Sequence, residues 1–171
     1  MARKPPKDLF LSLSSALTGF TMEELQGTGM LDTYYTTFAD IVDSAICARL
    51  WDTWYQVIRE SAGHGRERLN QLIRADIYTS AEFGPLARNI IGMWYLGNWS
   101  QLPAAWRSQF GAKASDSDHV ISAQAYQQSL VWIVMGSHPA GAKQPGYGSW
   151  AQPPAPLVAQ TVMPGGFSGD R

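Results

Sequence analysis

Three histidines, one cysteine and two close pairs of aspartates are the side chains here best suited to metal, nucleophilic or acid–base chemistry. A protein metal site needs several such groups converging at set spacings. His64, His119 and His138 all fall in stretches that read as loops, and none pairs with Cys, Asp or Glu at ligand spacing on one face. "DSDH" at 116–119 precedes an apolar helical pattern, so it reads as a helix cap with a solvated histidine. Asp40 and Asp43 share a helical face, but Ile41 and Val42 beside them point to an amphipathic surface. Paired carboxylates at that spacing are common on helices. No serine stands in a nucleophile elbow. "GTG" at 27–29 is too short for a phosphate-binding loop. Cys47, in "DIVDSAICARLW", reads as a small buried hydrophobe. Being the single cysteine it cannot form an internal disulfide, and the sharper alternative is a bridge to another chain.

What remains is aromatic. "RLWDTWY" holds Trp51, Trp54 and Tyr55, and "IIGMWYLGNW" holds Trp94, Tyr95 and Trp99. Core packing accounts for part of these rings. The functional reading is a protein interface, where Trp, Tyr and Met are enriched. A cofactor pocket is disfavoured, because no polar or phosphate-binding residues converge nearby.

The elements that must position these rings are mostly helical. "LFLSLSSALTG" repeats Leu at helical spacing behind Asp8 and stops at Gly19. Thr21 with Glu24 is a capping-box signature. From Met30 to Glu60 two helical stripes run in succession, with a break predicted near Asp43-Ser44. "RERLNQLIRADIY" is amphipathic. Pro85 suits a first helical turn, and the helix behind it runs to Gly97. "AAWRSQF" is a short turn of helix inside a loop. Asp118 is expected to cap a last helix closed by Gly136.

After Gly136 the chain changes character. Gly and Pro supply 13 of the 36 residues from 136 to 171, which excludes helix and central strand. Tyr147, Trp150, Leu157, Val158, Met163 and Phe167 are nonetheless interspersed. Such a segment reads as an extended arm laid over a surface, its own or a partner's. The expected architecture is all-α: a helical domain of about five to seven helices over 1–136, and the arm over 137–171.

The 171 residues suit one domain. Charged residues are 16%, well below the usual quarter, which hints that part of the surface is covered by a partner. A net charge of −1 leaves no electrostatic footprint for nucleic acid. No stretch approaches the roughly 18 apolar residues of a membrane span. "MARKPPKDLF" lacks an apolar h-region and is not an intact secretory signal, so the chain is either cytoplasmic or has had a signal removed.

Four stretches, in order, resemble a family. "FLSLSSALTG" looks like the opening of the small subunits of bacterial membrane-associated FAD-dependent sugar and alcohol dehydrogenases. "IIGMWYLG" resembles their aromatic helix at Trp94, Tyr95 and Gly97. "AYQQSLVW" resembles a later helix at Tyr126, Ser129 and Leu130. "PGYGSWAQPP" resembles their ending at Trp150, Ala151 and Pro154. Relatives often begin with a twin-arginine export signal, which is missing here. They also tend to carry an aromatic before the tail Trp and an acid-Lys pair after its Ala, where this chain has Ser149 and Gln152-Pro153.

The resemblance implies a non-catalytic subunit with no cofactor of its own. It would stabilise, mature and help export a large glucose–methanol–choline-type flavoprotein that binds FAD and oxidises a sugar or alcohol. A cytochrome c subunit can complete such a complex, at the periplasmic face of the inner membrane. Trp51, Tyr95, Trp99, Tyr147, Trp150 and Pro154 are then the candidates for the partner interface, with Trp94 in the core. Two other readings stay open. One is a stand-alone enzyme or ligand-binding protein with a pocket lined by Trp94, Trp99 and Trp132. The other is an export chaperone that leaves after folding.

Overall fold

The chain is described by a computed structural model over residues 6–139, and the expected arm from 140 onward lies outside the described residues. Within 6–139 the protein is all-α apart from one two-stranded pairing. Helix α1 spans Pro6–Thr18. It begins at Pro6, so Asp8 sits in its first turn, favourable to the helix dipole, rather than capping it. α2 is Met22–Gly27, and both halves of the capping box form: Glu24 N–H donates to Thr21 Oγ1 and Thr21 N–H to Glu24 Oε2.

α3 (Leu31–Ile41) and α4 (Ser44–Ser61) part at the predicted break. Val42 turns extended, and Asp43 caps α4 by accepting from Ala45 N–H at 2.8 Å. Asp40 and Asp43 therefore lie on different elements. Across this corner Lys113 Nζ donates to the carbonyls of Asp40 and Val42 at 3.0 and 3.1 Å, satisfying the open end of α3.

α5 (Gly65–Leu72) runs into a π-helical turn, Ile73–Tyr78, where one α-helix was expected. The wider turn closes with Thr79 N–H donating to Arg74 O, while Thr79 Oγ1 donates to the carbonyls of Arg74 and Ala75. The inserted residue leaves Ile77 fully buried and Tyr78 exposed.

α6 (Gly84–Leu96) carries Pro in its first turn as predicted. β1 (Asn98–Trp99) follows, then α7 (Ala104–Phe110), and then β2 (His119–Val120), antiparallel to β1. The expected last helix is two short ones, α8 (Ala123–Gln127) and α9 (Val131–Val134). Ser122, not Asp118, caps α8, because 119–120 is drawn out to pair with β1.

The core is aromatic where α1, α3 and α4 meet. Phe10 lies 5.7 Å from Phe38 and 6.4 Å from Trp51, centroid to centroid. Beside it Tyr34 meets Trp94 of α6 edge-to-face at 4.8 Å. Among the described residues no helix is long and apolar enough to cross a membrane.

Candidate functional site

Several of the residues singled out by sequence converge on the C-terminal end of α6. Gly97 there has φ +73°, the left-handed conformation that ends a helix, and its N–H closes on Met93 O at 3.0 Å. A side chain at this position would meet the backbone of Ala125 at 2.7 Å. Absence of a Cβ is what lets α8 lie directly on the chain. Two backbone hydrogen bonds then fasten the two segments. Ile121 N–H donates to Gly97 O at 3.0 Å, and Leu130 N–H donates to Trp94 O at 2.9 Å. The buried Ser129 hydroxyl donates to Ala125 O, holding α8 to the start of α9.

The junction dictates where the rings go. Trp99 does not face outward. It is fully buried, with its Nε1 donating to Asp116 Oδ1 at 2.9 Å. The reason is the strand pairing, which turns the chain after Gly97 back under the domain. Trp51 is likewise buried, against Phe10 and Phe38 from α1 and α3. Both expectations of partner-facing rings are corrected: these two side chains are spent on this chain's own core. Tyr95 is half-buried, its hydroxyl donating to Thr18 O at 2.9 Å and its ring edge-on to Phe20, so it ties α6 to the end of α1. Trp94 is in the core as expected. Tyr147, Trp150 and Pro154 lie outside the described residues.

Asp116 is the residue whose role sequence spacing missed. By spacing alone it reads, with Asp118, as part of a helix cap. Its buried carboxylate accepts from Trp99 Nε1 and from Leu102 N–H, with Arg107 Nε 3.6 Å away. Asp118 accepts from Gln101 N–H. Together they bolt the loop before α8 to the segment after β1. The pairing is long-range, so no local pattern exposes it.

Chemistry is sparse by comparison. His64 and His119 are exposed, each with Nδ1 near a carbonyl two residues away, at 2.9 and 2.6 Å. Among the described residues no group of three or more His, Cys, Asp or Glu side chains is arranged to hold a metal ion. Cys47 is half-buried, and burial pushes its thiol up to about 11, so little reactive thiolate exists near neutral pH. The pocket imagined around Trp94, Trp99 and Trp132 does not form. The first two are core residues, and Trp132 folds against its neighbour, its Nε1 donating to Tyr126 O at 2.7 Å.

What the junction does present is an apolar surface. Val120, Tyr126, Ile133, Val134 and Met135 are exposed, the last three by 61–69%. They lie on β2, α8 and the α9 segment, the elements gathered around Gly97. Val131–Met135 is an uninterrupted apolar run none of which is buried, an arrangement typical of contact surfaces rather than of bare solvent faces. The chain matches no protein-family model, no curated protein and no solved structure.

Proposed function

We propose that this chain is the non-catalytic small subunit of an FAD-dependent dehydrogenase, stabilising and maturing a glucose–methanol–choline-type large subunit and helping its export to the periplasm. The observation that carries the reading is the ordered set of motifs, together with where their residues sit. Trp94 of one motif and Leu130 of another meet through a backbone hydrogen bond, and Gly97 of the first lies against the backbone of Tyr126 of the second. Short motifs far apart in sequence that build one junction behave as a signature of a shared fold.

The surface around that junction supports an interaction role. It ends in the apolar run Val131–Met135, whose Ile133, Val134 and Met135 are exposed, ahead of the Pro- and Gly-rich segment holding Tyr147, Trp150 and Pro154. In this proposal that segment and the α9 surface both contact the flavoprotein. FAD, the sugar or alcohol, and every chemical step belong to the partner. A cytochrome c, where present, is a third chain, since the single Cys47 cannot supply the paired thiols of a haem attachment.

Co-expression tests this directly. The large subunit produced with this chain is expected to be more soluble and more fully loaded with flavin than when produced alone, read as the ratio of bound-flavin absorbance to protein. Equal loading and solubility in both cases would sink the proposal.

A further inference from the structure

A second surface is lined by none of the residues described at the Gly97 junction. Two clefts, of about 610 and 370 Å³, share Ala16 and Asn70 and so form one groove between α1 and the α5–π segment. Its floor is apolar, with Leu17, Ile58, Leu69 and Ile73. An exposed large side chain stands in each cleft, Met22 in one and Tyr78 in the other. One wall carries Arg66, Asn70 and Arg74, every fourth residue and hence one helical face, and all three are exposed. Among the described residues neither arginine takes part in an ion pair, and no acidic side chain lines either cleft. From Arg66 to Leu72 the wall runs about 9 Å at 1.5 Å per residue, and the π turn carries it on to Tyr78.

We propose that this groove docks an amphipathic helix of a partner protein. The helix seats an apolar stripe on Leu17, Leu69 and Ile73 and pairs carboxylates with Arg66 and Arg74. Shape favours a helix over a small ligand, because ligand pockets enclose most of their guest whereas this groove is long and open along its length. Charge selects an acidic flank: two guanidiniums with no ion pair among the described residues, eight residues and about two helical turns apart, match acids two helical turns apart. The chain's own segment 140–171 does not meet that description, since Asp170 is its one acidic side chain and Pro and Gly recur along it. The inference concerns a surface separate from α9 and stands whether or not the partner is a flavoprotein.

The test uses the full chain and fluorescein-labelled synthetic helices of 18 residues. One carries a leucine stripe flanked by glutamates, the other the same stripe flanked by lysines. Fluorescence anisotropy is expected to show saturable binding of the glutamate helix and at least tenfold weaker binding of the lysine helix. The double variant Arg66→Ala/Arg74→Ala should weaken the glutamate helix about tenfold, each exposed pair being worth a few-fold. Both arginines are exposed, so the variant is expected to keep the wild-type circular dichroism spectrum. Equal affinity for the two helices, unchanged affinity in the double variant, or no saturation with either overturns the proposal. So does arginine-dependent binding of laurate without binding of the glutamate helix, which marks the groove as a site for an anionic amphiphile.

Discussion

Single side chains in this protein carry unequal burdens. Tyr34 is fully buried against Trp94, and its hydroxyl finds no hydrogen-bond partner among the described residues. Burial alone pushes its pKa far above that of a free phenol. The ring contributes packing while the hydroxyl costs desolvation that nothing offsets. Tyr34→Phe is therefore expected to leave stability unchanged or raise it by up to about 1 kcal/mol, because it removes an unsatisfied polar atom and keeps the shape. Urea unfolding followed by tryptophan fluorescence reads the difference, and a loss above about 1 kcal/mol would mean that the hydroxyl is bonded in solution. Asp116 is the opposite case. Its carboxylate accepts from a ring and a backbone N–H at once, so the buried charge is compensated and the loop it serves is fixed.

At the scale of elements, the glycine between α6 and β1 decides how the second half of the chain meets the first. Two effects act on any replacement of Gly97. The left-handed φ of +73° penalises every L side chain, and a Cβ would press on the Ala125 backbone at 2.7 Å. Gly97→Ala is expected to cost about 2–4 kcal/mol, the conformational penalty plus displacement of α8. Gly27→Ala is the control, being helical with open space around it. It should be neutral or stabilising by up to about 1 kcal/mol. Thermal unfolding of the two variants checks the contrast, and similar midpoints would show that α8 does not rest on Gly97. The element boundaries that sequence made legible are the ones written in local chemistry: the Thr21 capping box, the break near Asp43-Ser44, Pro85 and Gly97. The π-turn at 73–78 and the strand at 119–120 were not legible. Each depends on a partner elsewhere, the core position of Ile77 in one case and β1 in the other. Trp99 was misplaced for the same reason, since helical periodicity ends at Gly97 and says nothing about a ring that follows it.

The whole molecule divides into a closed body and a surface that is not closed. Leu130 is the last fully packed apolar residue on α8–α9, and among the described residues it is also the last member of the hydrophobic core. Sequence alone could assign the all-α class from periodicity, and the Gly- and Pro-rich change at 136 from composition. It could not say which rings the body would consume: Trp51 and Trp99 went inward, leaving the apolar α9 run as the outward one. If the body stands by itself and residues 140–171 serve assembly, cutting the chain after Pro139 separates the two roles. The truncated chain should keep its helical circular dichroism and unfold cooperatively within a few degrees of the full chain. In co-expression with the flavoprotein it should bind more weakly by a factor of at least about 30, the effect of losing an aromatic anchor worth roughly 2 kcal/mol. Unchanged affinity by titration would remove the arm from the interface and leave the α9 surface as the contact. Loss of helicity would instead make the arm a part of the fold, and the low charge content would then reflect cover supplied from within the chain.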